Sequence, residues 1–299
     1  MDRIKVMELV RSYQVGEVSR RDFLKRATMT AGGLVAANSL LAACTQFPNE
    51  NPPPVVDESQ PAAETGVSTT GELTTGVVEY PDTDDEALMG YLAYQSGGDP
   101  KPAVIVIQEW WGLNDHIKDV TDRFAAEGFV ALAPDLYKGQ VATEPDEARK
   151  LVMELDMPEA VKEIQQAIAY LQAQDYVSGD KVGVVGFCMG GGLVLQTALQ
   201  EEDLGAGVVF YGSPLSPEEA AGVNGPIMTF IGTEDRIPVS EVEAMHGAFT
   251  DAGIENEYHV YDGAQHAFFN ETRADSYSEE ASADAWPKTL AWFRQYLEG

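Results

Sequence analysis

A cysteine flanked by glycines is the strongest chemical signal in this sequence. Cys188 lies in the run Gly186-Phe187-Cys188-Met189-Gly190, between an apolar segment that predicts a strand and a segment that predicts a helix. The pattern is that of a G-x-S-x-G nucleophile elbow with cysteine in place of serine. Glycines allow the sharp turn, and the N-terminus of the following helix favours the thiolate form. The alternative is that Cys188 is a small buried hydrophobic residue.

An acid and a histidine follow Cys188 in the chain order nucleophile, acid, histidine. Asp235 comes after a predicted strand at 227–231, and His266 after one at 257–261. We predict that His266 acts as general base and then as general acid, and that Asp235 fixes its tautomer; Glu234 is the alternative acid. The other histidines fall within predicted elements, which favours structural roles for them; they are His116, which stays open as a pocket-lining residue, His246 and His259.

A second loop supplies groups for stabilising negative charge. The run Gln108-Glu109-Trp110-Trp111 directly follows the predicted strand 103–107. We predict that the backbone N–H groups of Trp110 and Met189 bind the oxyanion that develops in acyl transfer. Glu109 is an unusual residue for such a loop, and the alternative is a solvated loop acid.

These residues require a sheet that brings strand ends together. From about residue 72, near-continuous apolar runs alternate with helical periodicity. We predict an α/β protein of the α/β-hydrolase fold, with a mostly parallel, doubly wound sheet and helices on both faces. An antiparallel pair leads it. The other predicted strands are 103–107, 130–133, 182–185, 206–211, 227–231 and 257–261, after the pair 76–80 and 90–95; the predicted helices are 117–127, 144–155, 158–174, 190–199, 239–252 and 282–297.

The N-terminal segment has the pattern of an export signal. Residues 1–43 contain a twin-arginine pair, Arg20 and Arg21, followed by a weakly apolar stretch and by Leu41-Ala42-Ala43-Cys44, which resembles a lipobox. We predict that residues 1–43 are removed and that Cys44 is lipidated. The protein is then exported and anchored to the membrane on the extracytoplasmic side. The alternative is an amphipathic N-terminal helix on a cytosolic protein.

The segment after Cys44 predicts a tether rather than a domain. Residues 44–71 are rich in Pro, Ser, Thr and Glu and poor in large apolar residues. The domain organisation expected from the sequence is therefore a signal at 1–43, a lipidated tether at 44–71 and a catalytic domain at 72–299.

The charge of the chain excludes some classes of partner. The 299 residues carry 19 Lys and Arg against 49 Asp and Glu, a formal net charge of -30. Such a chain repels nucleic acid, and it meets a membrane only through the predicted lipid anchor. A strongly acidic surface predicts a salt-tolerant or halophilic protein. We find no metal-ligand spacing, phosphate loop or dinucleotide fingerprint, so we predict no metal and no cofactor. We expect a monomer.

Five motifs together resemble the dienelactone hydrolase family, or carboxymethylenebutenolidases, over residues 71–297. The motifs are Gln108-Glu109-Trp110-Trp111-Gly112-Leu113-Asn114, Ala133-Pro134-Asp135-Leu136-Tyr137, Gly186-Phe187-Cys188-Met189-Gly190-Gly191, Gly232-Thr233-Glu234-Asp235 and His266-Ala267-Phe268-Phe269. The resemblance implies a Cys188–Asp235–His266 triad, with Glu109 as the acid that helps to generate the thiolate when substrate binds. It also implies hydrolysis of a lactone or enol ester through an acyl-cysteine intermediate.

The sequence departs from the family at two substrate-binding positions. The best-known members have an arginine four residues after the triad histidine, where this chain has Asn270, and a second arginine that falls at Pro145. We interpret Arg273, Asn270 and Trp111 as substrate-binding residues, with Lys138 as an alternative cation. Two other readings stay open: an esterase for a neutral ester with the same triad, and a surface lipoprotein that binds a small ligand without catalysis.

Overall fold

The computed structural model describes residues 66–81 and 87–298. The predicted signal segment, Cys44 and nearly all of the predicted tether lie outside the described residues. Within the part of the chain that is described, no helix is long and apolar enough to cross a membrane.

A single sheet of nine strands forms the centre of the described fold. Its spatial order is β1-β2-β3-β5-β4-β6-β7-β8-β9. The first three strands pair antiparallel, β3 pairs antiparallel with β5, and every later pairing is parallel. The strands are β1 (Gly66–Thr70), β2 (Leu73–Pro81), β3 (Ala87–Gln95), β4 (Lys101–Ile107), β5 (Val130–Pro134), β6 (Val177–Phe187), β7 (Ala206–Phe210), β8 (Ile227–Glu234) and β9 (Asn256–Gln265).

Helices cover the sheet and connect its parallel strands. The first of them packs on β3 and β5, and the fourth packs on β6 and β7. The helices are α1 (Asp115–Ala126), α2 (Pro145–Glu154), α3 (Met157–Gln172), α4 (Met189–Gln200), α5 (Pro217–Ala220), α6 (Val239–Asp251) and α7 (Glu279–Leu297). The mostly parallel α/β-hydrolase sheet predicted from the sequence is confirmed, including its antiparallel leading strands.

The burial of the central strands explains why the sequence predicts them correctly. Every residue of β5 and β7 is buried, as are all but the first residue of β4. Strands covered on both faces need apolar residues at every position rather than at alternate ones. Continuous apolar runs in the sequence therefore locate these strands directly.

Two short elements have no counterpart in the sequence prediction. Strand β1 falls inside the segment 44–71, which was predicted as a tether. The strand was not predicted because all five of its residues are exposed and carry no apolar pattern. It pairs with β2 in the register Gly66 to Val77 through Thr70 to Leu73. Helix α5 has only four residues, too few for a periodicity. The folded chain thus begins before the predicted boundary at residue 72.

Candidate active site

Cys188 lies on a sharp turn between a strand and a helix. Strand β6 ends at Phe187 and α4 begins at Met189, so Cys188 alone makes the connection, with φ 55° and ψ -114°. The Cys188 N–H donates to the Phe210 carbonyl oxygen at 3.0 Å. The residue is 7% exposed. The turn therefore presents the thiol at the carboxyl edge of the sheet and at the N-terminus of a helix.

Glycines allow the backbones around this turn to approach closely. A Cβ atom on Gly186 would lie 2.2 Å from the Gly190 carbonyl oxygen. One on Gly190 would lie 2.5 Å from the Gln108 carbonyl oxygen. Both distances are far shorter than any real contact, so the elbow and the 108–114 loop meet only because these positions lack side chains.

The structure brings Asp235 and His266 to the thiol. Asp235 follows β8 directly and its side chain is fully buried, whereas Glu234 is exposed. The Nδ1 atom of His266 lies 3.0 Å from Asp235 Oδ2 and 3.2 Å from Oδ1. The His266 ring also hydrogen-bonds to the side chain of Cys188. Cys188, His266 and Asp235 thus form a continuous hydrogen-bonded chain.

The environment of His266 favours its charged form. Burial acts to lower the pKa of His266, but the negative charge of Cys188 and the hydrogen bonds to Asp235 and Cys188 act against it, and the pKa lies well above its usual value. An opposite charge in contact with a titrating group stabilises the ionised state. The geometry accordingly supports a thiolate–imidazolium pair.

Glu109 is a buried carboxylate that accepts hydrogen bonds from neutral groups. It is 1% exposed. Asn270 Nδ2 donates to Glu109 Oε2 at 2.7 Å, and the Tyr211 hydroxyl donates to Oε1 at 3.4 Å. The expectation of a solvated loop acid therefore does not hold for Glu109.

Asn270 is buried, and both ends of its side-chain amide form hydrogen bonds within the protein. Like Glu109 it is 1% exposed, and its amide oxygen accepts from the backbone N–H and the hydroxyl of Thr272, at 3.0 and 2.6 Å. Its amide nitrogen is the one that holds Glu109. Asn270 was expected to bind substrate, yet the group that it contacts directly is a carboxylate of the site.

Two tyrosines to which the sequence analysis gave no role also belong to the site. The Tyr137 hydroxyl donates to the Trp110 carbonyl oxygen at 3.2 Å and lies 3.3 Å from the Met189 sulfur. Burial first, and then the charge of Cys188, raises the pKa of Tyr137, as burial and Glu109 raise that of Tyr211. Both hydroxyls therefore stay protonated. The sequence feature that could have identified these tyrosines is their position, since each follows a buried strand.

Of the two residues predicted to bind an oxyanion, Met189 directly follows Cys188, and Trp110 is linked to Met189 through the Tyr137 hydroxyl. Met189 is the first residue of α4, so its N–H has no acceptor one turn earlier within the helix. Trp110 is 1% exposed, and its carbonyl group is fixed by Tyr137. Tyr137 thus touches both residues of the predicted pair.

The remaining substrate-binding candidates pack on each other. The guanidinium carbon of Arg273 lies 5.3 Å from the centre of the Trp111 ring, which is 1% exposed. Lys138, the alternative cation, pairs with Glu163 at 3.1 Å. Pro145 is the first residue of α2. An aromatic face and a guanidinium at this spacing form a cation–π contact.

The other histidines lie where the sequence placed them. His246 is 2% exposed on α6, with Nδ1 2.9 Å from Asn256 Oδ1 and Nε2 2.9 Å from the Thr229 hydroxyl. His116 is buried on α1, 3.7 Å from Glu271, and His259 lies within β9. The described residues contain no group of three or more His, Cys, Asp or Glu side chains placed to hold a metal ion.

Backbone strain concentrates at this site. Four described non-glycine residues have positive φ, and each is a site residue or the neighbour of one: Lys138 beside Tyr137, Cys188, Tyr211, and Ala267 beside His266. Such conformations are disfavoured for residues with a side chain and persist where the surrounding structure imposes them. Their clustering marks this edge of the sheet as the functional one.

Comparisons with known proteins agree with the geometry. Residues 88–297 match the dienelactone hydrolase family. Protein usf of Aquifex pyrophilus is 39% identical over 219 residues, which cover 70% of this chain and 93% of that protein. A Synechocystis protein provisionally named carboxymethylenebutenolidase is 36% identical over 249 residues, covering 77% of this chain and all of the relative.

A solved structure has the same fold. It is a crystal structure from Klebsiella pneumoniae, provisionally titled a dienelactone hydrolase, with 31% identity and a TM-score of 0.69. The match covers 76% of this chain and all of the Klebsiella chain.

Proposed function

The chain belongs to the dienelactone hydrolase family and is a carboxylic ester hydrolase, and from this premise we propose that it cleaves a lactone or ester through an acyl-cysteine intermediate on Cys188. The observation that carries the proposal is the hydrogen-bonded chain from Cys188 through His266 to the buried Asp235. A thiolate held against an imidazolium is the reactive form of a cysteine nucleophile.

The first half of the proposed reaction acylates the enzyme. The Cys188 sulfur attacks the carbonyl carbon of the substrate, and the carbonyl oxygen becomes an oxyanion that the N–H groups of Trp110 and Met189 bind. As the tetrahedral intermediate collapses, the C–O bond of the ester breaks and the His266 imidazolium gives its proton to the leaving oxygen. A thioester on Cys188 and a neutral imidazole result.

The second half returns the enzyme to its resting state. Neutral His266 takes a proton from water while the water oxygen attacks the thioester carbon. Collapse of this second intermediate breaks the C–S bond and releases the acid. Cys188 is again a thiolate and His266 an imidazolium, with Asp235 holding the ring throughout.

Glu109 and Tyr137 support this chemistry in different ways. The family resemblance implies that Glu109 interacts with the Cys188 thiol and helps to generate the thiolate when substrate binds. Tyr137 is a positioning residue, because its hydroxyl holds the Trp110 carbonyl group and with it the loop backbone that carries the Trp110 N–H.

The decisive experiment follows the acyl-enzyme rather than turnover alone. Full-length protein in detergent and molar salt is mixed with a dienelactone and with an aryl ester, quenched, and digested for mass spectrometry. We expect the acyl mass on the peptide that contains Cys188. Cys188→Ala loses both the adduct and turnover. Turnover that survives in Cys188→Ala, in protein whose circular dichroism is unchanged, contradicts the cysteine mechanism.

A matched variant separates the two candidate acids. Glu234→Gln removes the exposed neighbour of Asp235 and leaves the hydrogen bond to His266 intact. We expect its kcat/KM to equal that of the original protein.

Folded protein that binds a lactone without ever turning it over supports the alternative of a ligand-binding lipoprotein.

We also propose that the protein is exported by the twin-arginine pathway and anchored through lipid on Cys44. The support is the spacing of Arg20 and Arg21, the apolar stretch and the Leu41-Ala42-Ala43-Cys44 motif. Mass spectrometry of membrane fractions is expected to give a diacylglyceryl-modified Cys44 at the N-terminus. Recovery of unmodified protein that begins at Met1 from the cytoplasm contradicts the proposal.

A further inference from the structure

We infer that the site selects an uncharged ester or lactone and rejects a substrate that carries a carboxylate. The inference rests on the hydrolysis proposed above and names its substrate class. It comes from the charges that the structure places around Cys188 and from the way in which each nearby polar group is already used.

The buried groups of the site hold more negative than positive charge. Cys188 as a thiolate, Asp235 and Glu109 are the anions, and His266 is the cation that contacts two of them. Glu109 is 1% exposed and Cys188 7%, so water screens these charges poorly. A substrate carboxylate would add a further anion to a region in which negative charge already exceeds positive charge.

The donors around Glu109 are neutral. The amide of Asn270 and the hydroxyl of Tyr211 hold its two oxygens without neutralising it. The amide oxygen of Asn270 is occupied by Thr272, and Tyr137 donates to Trp110. None of these three side chains therefore brings the positive charge that a substrate carboxylate would need.

Three cations, on α1 and on the loops, have partners of their own. Lys138 pairs with Glu163, and Arg123 with Glu271 at 3.9 Å while stacking on Phe269. Arg273 lies over the ring of Trp111. Arg273 is the cation that an anionic substrate would bind, so a variant at this residue tests the inference.

The surface acts in the same direction as the site. Residues 44–299 contain 12 Lys and Arg against 45 Asp and Glu. A field of this sign slows the approach of an anion and leaves a neutral molecule unaffected, and salt removes the difference.

The test compares a lactone bearing a carboxylate with its methyl ester, and opening of the lactone ring is followed as the common reaction. Full-length protein is assayed for kcat/KM at 0.1 M and 1 M salt, with Cys188→Ala to confirm that the thiol does the work. We expect the methyl ester to be favoured at least tenfold at 0.1 M salt, through a lower KM. Salt is expected to raise kcat/KM for the carboxylate alone.

Two variants locate the source of the preference. Glu109→Gln removes one negative charge from the site; it slows both substrates, and the preference for the neutral one is expected to narrow severalfold. Arg273→Gln is expected to leave the preference unchanged. A preference for the carboxylate that Arg273→Gln abolishes overturns the inference while the proposed hydrolysis stands. If neither substrate is hydrolysed, the proposed function fails and the inference fails with it.

Discussion

Two buried histidines in this protein have opposite charge preferences. His266 lies between Cys188 and Asp235, and its pKa is raised well above the usual range. His246 is a residue of α6 whose ring lies between Asn256 and Thr229, and burial lowers its pKa to about 4. The His246 ring is hydrogen-bonded through both nitrogens, and the His266 ring is hydrogen-bonded to the side chains of Asp235 and Cys188. What distinguishes them is that the partners of His266 carry charge and those of His246 do not.

The comparison shows that burial alone does not make a histidine chemically useful. Desolvation disfavours the charged ring at both positions, and hydrogen bonds to neutral amide and hydroxyl groups do not compensate for it. A buried carboxylate and a thiolate do. The most informative experiments therefore change charge at one histidine and compare the outcome with the other.

The largest expected effect comes from removing the charge beside His266. Asp235→Asn keeps the shape of the side chain and loses the carboxylate, so we expect kcat/KM to fall by roughly 10³–10⁴-fold. Because a raised pKa keeps His266 protonated above neutral pH, the alkaline limb of the pH–rate profile lies above the ordinary histidine value and moves to lower pH in Asp235→Asn.

The matched control is His246→Gln, which changes a buried histidine outside the site. Its kcat/KM and its pH–rate profile are expected to be those of the original protein at temperatures where it is folded. An unchanged pH–rate profile in Asp235→Asn contradicts the assignment of the alkaline limb to His266.

The second effect concerns stability at acid pH and tests the other side of the comparison. The pKa of His246 is lower in the folded protein than in the unfolded chain, so the unfolded chain binds more protons between about pH 6.5 and 4. The stabilisation of the folded protein by neutral His246 is complete above pH 6.5. It is lost as the pH falls, so that the free energy of unfolding is lower by about 3 kcal/mol at pH 4 and below. Urea unfolding at a series of pH values measures the loss.

His246→Gln removes this titration, so the difference in unfolding free energy between the two proteins is expected to shrink as the pH falls from 6.5 to 4. A difference that stays constant over that interval contradicts the buried, neutral state of His246.

A smaller effect is expected from a neutral hydrogen bond next to the charged pair. Tyr137→Phe removes the hydroxyl that holds the Trp110 carbonyl group and leaves that buried acceptor without this donor. We expect kcat to fall about tenfold with little change in KM, because the oxyanion contacts form in the transition state. Tyr261→Phe, which loses a hydroxyl bonded to Asp284 of α7, is the control. Equal kcat values for the two variants contradict the positioning role.

The smallest effect is expected from charges at the surface. Repulsion among the excess carboxylates weakens as the Debye length falls from about 10 Å at 0.1 M salt to about 3 Å at 1 M. We expect the melting temperature to rise by about 5 °C over that interval. Equal melting temperatures at the two salt concentrations contradict a halophilic character.

The fold was readable from the sequence where burial is complete. Strands β4, β5 and β7 are buried almost throughout, so every position carries the same signal. The exposed β1 gave none, since pairing with β2 and not side-chain character defines it. The proximity of Cys188, Asp235 and His266 could be predicted because the topology of a parallel sheet places the ends of their strands together.

The contacts inside the site were less accessible. Asn270 and Glu109 are 161 residues apart, and their hydrogen bond depends on how two loops pack after the sheet has formed. The same is true of Tyr137 and Met189, which are 52 residues apart. No local pattern reports such a pair. Residue type and position at a strand end made these residues candidates, and only the packing assigned their partners.

The left-handed backbone at Cys188 bears on how the sequence can change over generations. A residue with a side chain at φ 55° destabilises the native state by roughly 1–3 kcal/mol, and glycine would relieve that strain. Selection for stability alone would therefore replace the nucleophile of the proposed chemistry. The cysteine persists only while activity is selected, so among descendants of this protein that have lost the reaction, substitution at position 188 is expected to be an early event.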